Sequence, residues 1–162
     1  QFKWLKVLNE RHPKLKICIK GRKNDGLKEN KRFVNFIKNT NILFIDQHSE
    51  DKDNKKFDYD SSHSYDYALN SKVVCTWQST MGFELLSLNK YCIFLDPRGR
   101  NTAHLPNDNY HNMIKVTSYD EFESLFFKVY NDNFNLKNLN TDDYCLDSSK
   151  THENIFEKLK NA

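Results

Sequence analysis

The sequence predicts an α/β domain, doubly wound around a mainly parallel sheet of about five strands. Three observations carry this expectation. Short runs rich in Ile, Val, Leu and Phe recur at residues 15–20, 41–46, 72–76, 91–95 and 113–116. Stretches with helical spacing separate them, and nearly continuous apolar strands alternating with helices call for a parallel sheet covered on both faces. The third run also leads straight into Gln78-Ser79-Thr80-Met81-Gly82, a hydroxyl- and glycine-lined helix start of the kind found at strand–helix junctions.

Each element has its own warrant. Phe2, Leu5, Val7 and Leu8 share helical spacing, and the helix stops at His12-Pro13, since proline disfavours helical backbone in the residue before it. His12 is thereby read as a helix-stop residue. Residues 15–20 alternate as a strand and end in the polar loop from Gly21 to Gly26. Phe33, Val34, Phe36 and Ile37 mark a helix over 28–39, and residues 41–46 form the second strand. Residues 47–62 are polar, anchored only by Phe57 and Tyr59, and longer than the roughly 12–15 residues of most loops in compact domains. A short helix over 64–69, capped by Ser62 or Ser64, precedes the third strand. The helix over 82–88 leads to the fourth strand, closed by Asp96-Pro97, and a short fifth strand follows at 113–116. Ser118 with Glu121 three residues on is a capping-box signature for a helix that buries Phe122, Leu125, Phe126 and Val129. An Asn-rich connection leads to a last helix over 151–160, with Ile155, Phe156 and Leu159 inward, so that residues 131–162 form a tail packed on the domain.

The 162 residues are enough for one domain with a sizeable core, and about half of a larger two-domain enzyme. Since the chain starts at Gln1, the expectation is a piece of a longer protein. With 25 basic against 22 acidic residues the net charge is +3, too balanced for a nucleic-acid footprint or a polybasic membrane arm. No run approaches the roughly 18 apolar residues of a membrane span, so a soluble, cytoplasmic segment is expected. Cys18, Cys75 and Cys92 fall in expected buried strands and Cys145 in the polar tail, without a C-x-x-C pair, which reads as reduced thiols.

In open α/β sheets ligands bind beyond the carboxyl ends of the strands. The loops there carry Lys20, Arg22, Lys23, His48, Ser79, Thr80, Arg98 and Arg100, cations and hydroxyls that suit an anion. Helix starts favour anions through unpaired N–H groups and the helix dipole. Gly82 is expected to let a ligand approach the first turn without meeting a Cβ, and Glu84 to accept hydrogen bonds from sugar hydroxyls. By itself, Ser79-Thr80 reads as an ordinary helix cap, and the cations of the neighbouring loops are what favour an anion site. Arg98 and Arg100 read either as a phosphate clamp or as solvated surface arginines. His48 and His104 are lone loop histidines with no assigned role. Asp58-Tyr59-Asp60 has the spacing of a metal-binding pair, but no apolar strand precedes it, and a solvated acidic turn is the expectation.

Ile17 to Arg22, Ser64 to Thr76, the element Ser79-Thr80-Met81-Gly82-Phe83-Glu84 and Tyr91 to Pro97 together resemble the C-terminal, donor-binding Rossmann-like domain of GT-B-type glycosyltransferases. The likeness is to those that assemble bacterial surface polysaccharides, with nucleotide-sugar epimerases as structural relatives. It covers roughly residues 12–130, and Ser-Thr-x-Gly-x-Glu is its most specific part. The resemblance implies a nucleotide-sugar as substrate, its phosphates on Ser79, Thr80 and the amides up to Gly82, its ribose on Glu84, and Lys20 or Arg22 neutralising charge. Related sialyl- and Kdo-transferase groups carry His-Pro after the strand; here Lys20-Gly21-Arg22 stands in that place and His12-Pro13 precedes it. The resemblance further implies no metal and no other cofactor, an N-terminal acceptor domain outside this chain, and attachment of the full-length protein at the inner face of the membrane. It leaves the catalytic residue unassigned. Other readings are an epimerase-like or polyol-phosphate-transferase-like domain, and a non-catalytic interaction domain of the same fold.

Overall fold

A computed structural model of the chain describes residues 2–21, 26, 27, 29–45, 62–77, 79–99, 106 and 113–134. Of the expected loop over 47–62 all but Ser62, which begins a helix, lies outside these residues, as does the expected helix over 151–160. The fold is mixed α/β, with five helices and two small parallel sheets among the described residues. The chain divides into two compact units, Gln1–Ser64 and Tyr65–Ala162.

In the first unit, helix α1 (Phe2–Arg11) ends where expected: the His12 amide still donates to Leu8 O at 2.9 Å, and Pro13 stops the ladder. Leu15 N then bonds back to His12 O at 3.0 Å. That turn takes Leu15 away from the strand expected over 15–20, and β1 is Cys18–Lys20. It pairs in parallel with β2 (Leu43–Ile45), Ile19 opposite Phe44. Between them lies α2 (Lys31–Lys38), shorter than expected because Asn30 caps it, its Oδ1 accepting from the amides of Arg32 and Phe33 at 3.0 and 3.2 Å.

The core of this unit is aromatic. Phe33 is buried, its ring 5.0 Å from Phe2 and 4.9 Å edge-on to Phe44, so α2 bridges α1 and the Ile19/Phe44 face of the sheet. The opposite face differs from expectation. Cys18 and its cross-strand neighbour Leu43 are exposed, Leu43 at 61%. Cys18 is therefore not a core thiol.

In the second unit, the order is β3 (Val74–Thr76), α4 (Met81–Ser87), β4 (Cys92–Leu95), β5 (Lys115–Val116) and α5 (Tyr119–Tyr130), preceded by α3 (Ser62–Asn70), which crosses from one unit into the other. The strands lie side by side as β3-β4-β5, all parallel, with Thr76 opposite Phe94 and Phe94 opposite Lys115. Every residue of the central strand β4 is buried. Because side chains alternate, Val74, Thr76, Cys92 and Phe94 share one face, and Phe94 meets Phe83 of α4 there at 4.7 Å. Cys75, Ile93, Leu95 and Val116 point the other way. The buried residues of α5, Phe122, Leu125, Phe126 and Val129, repeat at the helical spacing read from the sequence.

Both helices of this unit that follow the strands end alike. Asn89 and Asp132 sit past the helix ends with φ of 57°, while Lys90 N reaches Leu85 O and Asn133 N reaches Lys128 O, each at 2.8 Å. This is the Schellman arrangement, in which a left-handed residue satisfies the last carbonyls. Lys90 also donates from Nζ to Leu69 O at 3.0 Å and to Ser71 O, tying down the end of α3.

Candidate functional site

All three strands of the second sheet run the same way, so their carboxyl ends meet at one edge. Three segments emerge there: Trp77 to Thr80 after β3, Asp96 to Gly99 after β4, and Thr117-Ser118 after β5. Five of the eight expected ligand residues, Ser79, Thr80, Gly82, Glu84 and Arg98, lie in or just beyond these segments.

The two helix starts at this edge are built differently. At α5, Ser118 Oγ accepts from the Glu121 amide at 3.3 Å, and Glu121 Oε2 accepts from the amides of Thr117 and Ser118 at 2.8 and 3.1 Å and from Thr117 Oγ1 at 3.1 Å. That terminus satisfies itself. At α4, Thr80 already has helical backbone, φ −60° and ψ −29°, and makes no side-chain capping bond. The ordinary-cap reading of Thr80 is thereby corrected: a residue in helical geometry cannot swing its hydroxyl over the N2 and N3 amides. Thr80 is exposed, Ser79 half-buried, and the Glu84 side chain is exposed on the first turn.

Gly82 does something other than expected. A Cβ there would lie 2.5 Å from Phe94 Cζ and 2.8 Å from both Phe94 Cε1 and Thr76 Cγ2, so its open side faces the sheet, not a ligand. Its amide is also spoken for, donating to Ser79 O at 3.2 Å, while Phe83 N donates to Thr80 O at 2.9 Å. The expectation that Gly82 opens the turn to a ligand is corrected: it lets α4 sit close on β3 and β4. The sequence signal for either role is the same glycine.

Beyond β4, Asp96-Pro97-Arg98-Gly99 makes a tight turn, closed by Gly99 N to Asp96 O at 3.2 Å with Gly99 at φ 58°. Proline in the second place and a left-handed glycine in the fourth suit such a turn. The turn holds Arg98 at its apex, exposed. Its base is anchored by a feature that the sequence reading missed. Lys115 and Asp96 form an ion pair at 3.6 Å with both side chains 2% exposed. By register and alternation both belong to the Phe94 face of the sheet. Asp96 Oδ2 makes no hydrogen bond among the described residues. The available signal was a lysine inside the apolar run Met113-Ile114-Lys115-Val116, since a buried lysine requires a partner.

Of the remaining three expected ligand residues, Lys20 alone is among the described residues. Lys20 belongs to the first unit, at the end of β1, where its Nζ donates to Ser64 Oγ at 2.5 Å. Burial lowers its ammonium from the usual lysine value, and the neighbouring Cys18 thiol opposes that shift. Arg22 and Arg100 lie outside the described residues, as do Lys23, His48, Asp58 to Asp60 and His104. Cys18, Cys75 and Cys92 are free thiols, of which Cys92 is fully buried and Cys75 is half-buried as a residue with its thiol turned inward. Burial pushes the Cys75 thiol up to about 12 and Cys92 well above its ordinary value.

No family model matches this chain, and no curated protein or solved structure matches it. Among the described residues, no helix is long and apolar enough to cross a membrane.

Proposed function

We propose that this chain is the donor-binding domain of a GT-B-type glycosyltransferase of surface-polysaccharide assembly, doubly wound and Rossmann-like, which takes the nucleotide of an activated sugar at the carboxyl edge of β3 and β4. The observation that carries the reading is the contrast between the two helix starts at that edge: α5 is closed by its own capping box, whereas α4 has no side-chain cap and presents Ser79 and Thr80. A phosphate there gains hydrogen bonds and a favourable dipole. Support comes also from Arg98, exposed in the turn that follows the neighbouring strand β4. Glu84, exposed on the first turn, is free to accept ribose hydroxyls.

In sugar transfer the leaving phosphate gains negative charge as the anomeric bond breaks, and pre-positioned dipoles and cations lower that barrier. Thr80, Ser79 and Arg98 supply this function in the proposal. The acceptor and the remaining catalytic groups come from an N-terminal domain, and the full-length protein works at the cytoplasmic face of the membrane.

The test is a thermal-shift panel of UDP, CMP, CDP and GDP on the chain. Binding at a hundred times Kd stabilises by about 2.7 kcal/mol, so at least one of the four raises Tm, and Thr80→Ala with Arg98→Ala reduces the shift. No shift with any of the four at millimolar concentration overturns the proposal.

A further inference from the structure

The whole-chain charge of +3 conceals a segregation. Residues 1–45 carry 12 of the 25 basic side chains and only 3 of the 22 acidic ones, so this stretch stands at +9 and the remaining residues at −6. The stretch makes up most of the first compact unit. Attraction to a charged partner is governed by the field over one surface, which a balanced total does not describe.

The fold turns these charges outward. Among the described residues of the stretch, eight cations are exposed, against two exposed carboxylates, Glu10 and Glu29. Five of the eight share one layer. Helices α1 and α2 pack on each other through Phe2, whose ring lies 5.0 Å from Phe33 and 5.6 Å from Phe36. With those rings turned inward, α2 shows Lys31, Arg32 and Lys38 to solvent, and α1 shows Lys3 and Lys6, three residues apart. Lys6 is partly neutralised by Glu10, 3.5 Å away. A solvent face needs only polar side chains, and gathering like charges on it costs self-repulsion that the packing of this unit does not require.

Two observations narrow the partner. Six of the eight exposed cations are lysines, point charges that suit a diffuse anionic field, whereas arginine is the side chain that grips single phosphates bidentately. The rings of Phe33, Phe36 and Phe44 are packed among themselves and with Phe2, not turned outward as platforms for the bases of a single strand. Phe2 itself, 36% exposed at the start of α1 beside Lys3, adds an apolar contact of the kind that enters a headgroup layer.

We propose that the outer layer of α1 and α2 is a docking surface for an anionic membrane, held by Lys3, Lys6, Lys31, Arg32 and Lys38. The inference rests on the donor-binding reading only in choosing a membrane as the partner, since its residues belong to the first unit and the nucleotide site to the second. Each Lys or Arg close to an anionic bilayer raises binding about fivefold.

The experiment is co-sedimentation of the full chain with vesicles of phosphatidylcholine, alone or mixed with phosphatidylglycerol. Binding to the mixed vesicles only is expected, falling steeply between about 0.1 M and about 0.5 M salt as the Debye length shortens. Lys31→Ala with Arg32→Ala and Lys38→Ala is expected to weaken it roughly a hundredfold, and Lys3→Ala with Lys6→Ala by roughly an order of magnitude. Lys72→Ala with Lys128→Ala, which removes two exposed cations of the second unit, is expected to leave it unchanged. Equal binding to both kinds of vesicle, equal weakening by the second-unit pair, or binding to neither overturns the proposal. A mixed-sequence RNA duplex that binds more tightly than the mixed vesicles, and loses that binding in the α2 variant, also overturns it and makes a nucleic acid the partner. In every case a nucleotide that raises Tm still supports donor binding, and the α2 variant is expected to show the same nucleotide shift as the parent.

Discussion

Gly82 shows how one residue can be noticed for a good reason and assigned the wrong one. Glycine at a strand–helix turn signals that something comes close to the backbone. Here that something is the protein's own Phe94 ring, with the Thr76 methyl beside it. Gly82→Ala must push a ring that is itself fully buried and held against Phe83. Overpacking of this kind costs about 1–3 kcal/mol. We expect a corresponding fall in the urea midpoint at unchanged m-value, and partial recovery on adding Phe94→Leu, because the two sites are in contact and their effects do not add. Full stability of Gly82→Ala alone would show that α4 does not sit close for this reason.

At the scale of elements, the Lys115–Asp96 pair joins β5 to the turn after β4. Removing one partner of a buried pair leaves the other charge uncompensated, at about 3–5 kcal/mol. Lys115→Met therefore destabilises by that order in chemical denaturation, and Asp96→Leu added to it restores much of the loss. A Lys115→Met protein as stable as the parent would show the pair to be inert. Elements with strong local signals were legible in the sequence: α1 with its proline stop, α5 with its capping box, and β4 as a continuous apolar run. Edges were less so. β1 starts later than alternation assigned it, Leu15 being held in a turn with His12, and α2 starts late because Asn30 caps it. The strand order read from the sequence puts Ser79, Thr80, Glu84 and Arg98 in or just beyond the segments that leave the carboxyl ends of β3 and β4, where the structure has them. The Lys115 pair was not legible, because its two members lie in separate runs and only strand register brings them together.

For the whole molecule, the thiols set an alkaline limit on stability. Cys75 has an ordinary value of 9.0 and is pushed up to about 12 in the folded chain by burial, and Cys92 is raised in the same direction. Between these values the unfolded chain has lost the proton and the folded chain keeps it, so the unfolded state binds fewer protons. Stability is then full below about pH 9 and declines as pH rises, by about 1.4 kcal/mol per unit for each thiol. Buried Tyr91, also raised by burial, adds to the decline at higher pH. Urea midpoints measured from pH 7 to 11 are expected to be level up to pH 9 and to fall beyond it, with a shallower fall in Cys75→Ala. A level midpoint to pH 11 would contradict the burial of both thiols.

The ladders described above have a bearing on how the chain finds its structure. Among the described residues every strand pairing is parallel, and in the second unit bonded partners lie roughly twenty residues apart in the chain. Such a sheet cannot zip up from a hairpin. Each strand has to wait for a crossover segment to close its loop first, which gives the tight seat of α4, the crossover between β3 and β4, an early part in assembly.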